Sequence, residues 1–159
     1  HIAFAMPTII FGPFLFSATL RKKHPNIHKT LGKFYVAGCL LSAVTVLPLA
    51  ISNGAGIVAH IGFGTMGVLW FIITYFAYTA AINKDFIAHR RWMMRSYAMT
   101  FAFIHVNLTY KLLLPYDQMN VGAIKAMQSM VSWLFNLFIV EIYLEAQTLK
   151  ANGKDGKNS

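Results

Sequence analysis

The run Phe34–Asn83, FYVAGCLLSAVTVLPLAISNGAGIVAHIGFGTMGVLWFIITYFAYTAAIN, holds 50 residues and no Asp, Glu, Lys or Arg. An uncharged helix of about 20 residues, rising about 1.5 Å per residue, crosses the roughly 30 Å hydrocarbon core of a bilayer. The run is therefore long enough for two crossings, and the glycine-containing stretch Ser52–Gly56 marks the turn between them. This pattern predicts two membrane helices, which we call segments B and C.

Three more uncharged stretches flank this run. Ile2–Leu20 is 19 residues long and forms segment A, whereas Ser96–Tyr110 and Ala126–Val140 are the cores of segments D and E. Pro25 and Asp85 are typical of helix starts, so B begins near Pro25 and D near Asp85. These segments predict an all-α integral membrane helical bundle of five transmembrane helices with a four-helix up-down core.

The composition agrees with a membrane protein. Hydrophobic residues make up 57% of the chain and charged residues only 12%, about half the share that is usual in soluble domains. A net charge of +9 would suggest nucleic acid in a soluble protein. Here the basic residues lie in short gaps between apolar runs, so we expect contacts with membrane lipids and no nucleic-acid partner. The single cysteine, Cys39, excludes a disulfide scaffold.

The basic residues also predict the topology. Twelve of the 14 Lys and Arg residues lie between the uncharged runs of A and B, between those of C and D, or after E, which is one side of a five-crossing chain. Positive residues favour the cytoplasmic side, so this side and the C-terminus are predicted to be cytoplasmic. Residues 1–149 form the predicted bundle, and the polar residues 150–159 a flexible cytoplasmic tail. Because the chain starts at His1 inside an apolar run, we expect further sequence upstream, such as one more helix.

Four of the six histidines occur once per segment at alternating ends. His1 and His60 lie at the outer ends of A and C, and His28 and His89 at the inner ends of B and D. In an up-down four-helix bundle A is diagonal to C and B is diagonal to D. The spacing therefore predicts an outer pair, His1 with His60, and an inner pair, His28 with His89. Two facing imidazoles are the axial ligands that a six-coordinate haem b requires.

Neighbouring residues on the same helical faces agree with this hypothesis. Gly32 and Gly64 each follow a histidine of these pairs by four residues, which suits the edge of a flat porphyrin and equally suits close helix packing. His105 lies about 160° around D from His89, and His24 precedes the start of B, so neither is an expected ligand. Polar residues share the faces of the inner pair: Tyr35, Cys39 and Ser42 on B, and Ser96, Thr100 and Asn107 on D. We also predict a hydrogen bond from Asn107 to Asn136 of E.

Three stretches carry a resemblance to a known family. They are His89–Phe103 (HRRWMMRSYAMTFAF), Pro25–Tyr35 (PNIHKTLGKFY) and the first segment, from His1 through Gly12-Pro13 to Arg21. In these stretches the chain resembles bacterial membrane proteins known only as a domain-of-unknown-function family. The resemblance covers nearly all of the chain. It implies a multi-pass protein of the bacterial inner membrane and implies nothing about activity.

The placement of one histidine per helix is also similar to the cytochrome b-561 class, in which four histidines on successive helices hold two haems b. This similarity implies that His1 and His60 are the outer haem ligands and His28 and His89 the inner ones. It is a similarity of spacing and topology, and the flanking basic residues differ from a buried haem site by placing the inner haem close to the membrane interface.

Two functions follow as hypotheses. The first is a transmembrane b-type electron carrier with two bis-histidine haems. Arg90, Arg91 and Arg95 would then pair with haem propionates or with an anionic reductant, and a small molecule or protein would donate and accept electrons. The second is a cofactor-free, polar-lined bundle that serves as a small transporter, a lipid-binding protein or an accessory subunit. Enzymatic activity and homo- or hetero-oligomerisation stay open at this stage.

Overall fold

The structure is a computed structural model, and it describes residues 1–52, 54–113 and 121–155. Their regular structure is α-helical throughout, which confirms the predicted all-α class. The helices are α1 (Ile2–Leu15), α2 (Ala18–Lys23), α3 (Pro25–Ser52), α4 (Ile57–Ile82), α5 (Phe86–Leu113) and α6 (Val121–Asp155).

Length and apolar composition identify the helices that can span a membrane. Within the described residues three helices meet both criteria: α3, α4 and the Gly122–Ala151 part of α6. At 28 residues α5 is as long as α3, but it carries four basic residues among its polar side chains. The first helix, α1, is apolar but has only 14 residues. The arrangement is compatible with the five predicted segments.

The helices α1, α3, α4 and α5 form an up-down ring. In this ring α1 packs against α3 and α5, and α4 packs against α3 and α5, so that α3 lies diagonally across from α5. Antiparallel packing is visible between α4 and α5, because Thr74 contacts Ser96 whereas the later residue Ala77 contacts the earlier residue His89. The same reversal relates α5 to α6, which packs outside the ring against α4 and α5. The predicted four-helix core is thus present.

Segment A is divided in the structure, which differs from the single helix predicted for Ile2–Leu20. Helix α1 ends at Leu15, and Ser17 begins α2 by accepting a hydrogen bond on Oγ from the Leu20 N–H at 3.4 Å. Serine favours such a capping position over a helix interior, which explains the break. Since α1 has 14 residues, it rises only about 21 Å.

The connections follow the sequence in part. Gly54 and Gly56, between α3 and α4, have φ angles of 65° and 84°, a region that glycine adopts without strain. Helix α6 continues to Asp155, so residues 150–155 of the predicted tail are helical. The sequence Leu114-Pro115-Tyr116-Asp117 predicts the turn between D and E, and it lies outside the described residues, as do residues 156–159.

Candidate cofactor site

A cavity of about 1,090 Å³ lies at one end of the bundle, where α3 and α5 begin. His28 is the fourth residue of α3 and His89 the fourth residue of α5, and both line this cavity. Their helices are diagonal in the ring, as the pairing from sequence required. The two histidines of the predicted inner pair therefore face one cavity. We call this end of the bundle the basic end.

The His89 ring is held in one orientation by the backbone of α4. Its Nδ1 lies 2.7 Å from the carbonyl oxygen of Ala77. Because a carbonyl oxygen can only accept, Nδ1 carries the proton and Nε2 keeps its lone pair. Ligating histidines in metalloproteins are commonly oriented by this kind of bond. In the neutral ring, Nε2 of His89 is thus the nitrogen that carries the lone pair.

The His28 ring has no such anchor. Its Nδ1 is buried and has no hydrogen-bond partner among the described residues. The two imidazoles are near enough to interact electrostatically. Gly32, one turn further along α3, also lines the cavity, and a Cβ atom placed on it would meet no atom within 4 Å. The wall beside His28 is therefore open.

Charge in the cavity is of one sign. No acidic residue occurs among the described residues that line it, whereas five basic residues do: Arg21, Lys29, Lys33, Arg90 and Arg91. The rest of the wall is largely apolar and includes Val36, Met93 and Leu144. An apolar wall rimmed by cations suits a molecule that is itself apolar with acidic groups at its edge.

Arg95, a predicted propionate partner, lies elsewhere. Its Nε and Nη2 donate to the two carboxylate oxygens of Glu141 on α6, the second at 2.8 Å, and its guanidinium lies 4.8 Å from the centre of the Trp92 ring. It is not among the residues that line the cavity. Six residues separate it from His89, which rotates it about 120° around α5. This angle was available from the sequence and could have excluded it.

The structure does not bring the predicted outer pair to one height. Nδ1 of His1 donates to the carbonyl oxygen of Ser42 at 3.0 Å, and the His1 ring lies 6.4 Å from that of Trp70 and 6.1 Å from that of Phe103. His60 precedes Trp70 by ten residues on α4, which is about 15 Å along the helix. The pairing predicted from sequence treated segment A as one continuous helix, whereas α1 ends at Leu15.

The other three histidines, His60, His105 and His24, each lie in different surroundings. Nε2 of His60 is buried without a hydrogen-bond partner among the described residues. A Cβ on Gly64 would meet nothing within 4 Å. The His105 ring packs edge-on against Phe135 at 5.8 Å, as expected for a helix-contact residue. His24 is exposed just before α3.

A buried layer of hydroxyl groups lies two turns beyond the inner pair, on the same faces of α3 and α5. The Tyr35 hydroxyl lies 3.1 Å from Thr100 Oγ1 and 3.5 Å from Ser96 Oγ, and Ser96 Oγ lies 2.8 Å from Thr74 Oγ1 of α4. Cys39 Sγ is 3.7 Å from Thr100 Oγ1. This hydroxyl layer joins three helices, and we had not predicted that Thr74 is part of it.

The predicted bond between Asn107 and Asn136 is wrong. Asn107 donates from Nδ2 to the carbonyl oxygen of Phe103 on its own helix, and Asn136 donates to that of Ala98. Since Asn136 lies beside Ala98, Asn107 is nine residues, or about 13 Å, further along α5. This places Asn107 at a different height from Asn136 and about 180° around α5 from Ala98.

Within residues 1–52, 54–113 and 121–155, no group of three or more His, Cys, Asp or Glu side chains is placed to hold a metal ion. A haem iron with two imidazole ligands needs only two such side chains.

Comparison with known proteins identifies a family. A family model described as "predicted membrane protein (DUF2306)" matches residues 1–144. No curated protein and no solved structure matches the chain. The family description names no activity and no cofactor, so the similarity to the cytochrome b-561 class stays a prediction.

Proposed function

The chain belongs to the DUF2306 family of predicted membrane proteins, and we propose that it is a b-type cytochrome that carries electrons, with haem b between His28 and His89. The observation that carries this proposal is that two imidazoles from diagonal helices line one cavity. A single terminal histidine is easily explained by the membrane interface. Two that share a cavity, one with its Nε2 free to bind a metal, are better explained by a shared ligand.

The cavity suits the macrocycle. Its volume of about 1,090 Å³ slightly exceeds the usual range for ligand pockets, about 300–1,000 Å³, and so leaves room for a large ligand. Val36 and Met93 supply apolar wall on the two helices that carry the histidines. Gly32 leaves the space beside His28 free of a side chain. These residues would contact the faces and edge of the porphyrin.

The basic rim suits the propionates. Haem b carries two carboxylates, and Arg91, Lys29 and their basic neighbours offer charge-assisted hydrogen bonds at the cavity wall. Positive charge near the iron also favours the reduced state, because reduction adds an electron there. The cations would thus orient the haem and raise its potential.

The two histidines would then have defined tasks. His89 would hold the haem through Nε2 while its Nδ1–H bond to the Ala77 carbonyl oxygen keeps the ring in place. His28 would hold it from the opposite helix. Haem iron with two imidazole ligands exchanges single electrons without an open coordination position. The proposal includes one haem, because His1 and His60 lie at different heights.

The same lining favours a second candidate, a site for an anionic lipid. Five cations and no described acidic residue around an apolar cavity suit a phosphate head group with its acyl chains. In this case His28 and His89 would hydrogen-bond phosphate oxygens. This candidate corresponds to the cofactor-free bundle considered from the sequence.

The visible spectrum tests the proposal. The protein is expressed with ample haem supply, purified in detergent, and measured oxidised and reduced. We expect a Soret band and a sharp α-band on reduction. Replacing His28 or His89 by Ala should change this spectrum, whereas His24→Ala and His105→Ala should leave it unchanged.

The outcomes separate the two candidates. A colourless preparation that carries a stoichiometric phospholipid, identified by mass spectrometry, would replace the cytochrome with the lipid site. Colour that survives the His28 and His89 replacements and disappears with His1→Ala would mean that haem binds elsewhere.

A further inference from the structure

We infer that His28 is the releasable ligand of the proposed haem, and that its release opens the iron to a small neutral diatomic ligand. The inference rests on the proposed function. It would add ligand binding, and hence sensing of such a molecule, to electron transfer. The two imidazoles have unequal surroundings.

Hydrogen bonding distinguishes the two rings. Nδ1 of His89 is bonded to the Ala77 carbonyl oxygen, whereas Nδ1 of His28 is buried without a partner among the described residues. When Nε2 binds iron, the proton of the ring must be on Nδ1. Bound His28 would therefore keep a buried N–H unpaired. Loss of such a bond behind a metal ligand lowers metal affinity by about 10- to 100-fold.

The first turn of α3, which carries His28, is also held less firmly than the first turn of α5, which carries His89. The first turn of α5 is capped by Asp85, whose Oδ1 accepts from the Ala88 N–H at 2.9 Å. The first turn of α3 follows α2, a six-residue helix with no buried residue. The backbone that carries His28 is thus attached to a weakly packed segment, whereas the backbone that carries His89 is capped and bonded to α4. Local opening is easier where few contacts are buried.

Release of His28 would change the coordination of the iron. Rotation of the His28 side chain away from the iron would leave His89 as the only protein ligand. A five-coordinate ferrous haem with one imidazole binds carbon monoxide, whereas a haem with two tightly bound imidazoles does not.

Carbon monoxide is the probe for the test. The purified ferrous protein is exposed to carbon monoxide, and its Soret band is followed. We expect the wild-type protein to bind the gas slowly, with the rate limited by release of His28. His28→Ala should retain haem, lose the six-coordinate spectrum and bind carbon monoxide at least about 10-fold faster, and added imidazole should restore the six-coordinate spectrum. His89→Ala should lose most of its haem, and His105→Ala is the matched control.

Each outcome is decisive. A ferrous wild-type protein that is coloured and six-coordinate but gives no spectral change with carbon monoxide overturns the inference and leaves the proposed cytochrome intact. Retention of haem by His89→Ala with its loss from His28→Ala also overturns the inference, because the anchored ring would then be the weaker ligand. A colourless wild-type protein overturns the proposed function and this inference with it.

Discussion

Tyr35 is the residue on which the hydroxyl layer depends. It is completely buried, and its hydroxyl contacts Thr100 of α5 at 3.1 Å and Ser96 at 3.5 Å. In Tyr35→Phe both contacts are lost, but Ser96 keeps its bond to Thr74 and Thr100 keeps its bond to the Ser96 carbonyl oxygen. Since no partner is left unpaired, we expect a loss of about 1 kcal/mol of stability. Thermal unfolding in detergent measures it.

Tyr75→Phe provides the matched control. Tyr75 is half exposed on the outside of α4, so removal of its hydroxyl should leave the unfolding temperature unchanged. Equal shifts in the two variants would show that the buried layer contributes nothing specific to stability.

Side-chain positions were predictable where they depend on one helix alone. The 100° rotation per residue placed Tyr35 with His28, and Ser96 with His89, because this rotation is a property of every α-helix. Contacts between helices depend also on their relative heights, which the sequence does not state. For this reason the pairing of Arg95 with Glu141 could not be predicted. The group that holds His89 is the backbone carbonyl of Ala77, and no feature of the sequence marks it.

The close contact between α4 and α6 depends on Gly62, which has no side chain. A Cβ atom on Gly62 would overlap the Ser129 side chain and approach the Ser129 carbonyl carbon to 2.9 Å. The backbone of α6 cannot rotate away as a flexible side chain can. We therefore expect Gly62→Ala to push the helices apart and to lower stability by about 1–3 kcal/mol, measured by unfolding in detergent.

Gly64→Ala is the control from the same helix. A Cβ there would meet nothing within 4 Å, and alanine favours a helix over glycine by up to about 1 kcal/mol. The variant should be as stable as the wild type or more so. A similar loss in both variants would attribute the effect to glycine itself and not to the contact with Ser129.

At the level of elements, the charge-free runs predicted α3 and α4 well, because a long apolar stretch between charged residues has few alternatives to a membrane helix. Segment A was less predictable. The run Ile2–Leu20 contains no charge, so nothing in its hydropathy marks the break that Ser17 makes by capping α2. The error mattered for the site, since it placed His1 at the height of His60.

On the scale of the molecule, the two ends of the bundle differ in charge. The up-down ring places the starts of α3 and α5 beside the ends of α1 and α4, and this brings the basic gaps of the sequence together around the cavity. The same residues that set topology in the sequence thus surround the candidate site. The sequence predicted this end and its histidine pair, whereas the cavity between them depends on packing that only the structure gives.

Two double variants can distinguish the effect of charges that line the cavity from the effect of the total charge at the basic end. Lys29 and Arg91 line the cavity, whereas Lys22 and Lys23 are exposed on α2 at the same end and do not line it. We expect the double replacement Lys29→Gln and Arg91→Gln to weaken haem retention and to lower the midpoint potential by roughly tens of millivolts, because nearby cations favour the reduced state. Redox titration of the haem absorbance measures the potential.

The double replacement Lys22→Gln and Lys23→Gln removes the same total charge from the same end of the molecule. Solvent and salt screen exposed charges over roughly 10 Å, so this variant should shift the potential much less. If both variants shift the potential equally, the field of the whole basic end is responsible and the propionates need no specific partners. If neither does, the haem lies outside this cavity, and the cations there serve the membrane surface alone.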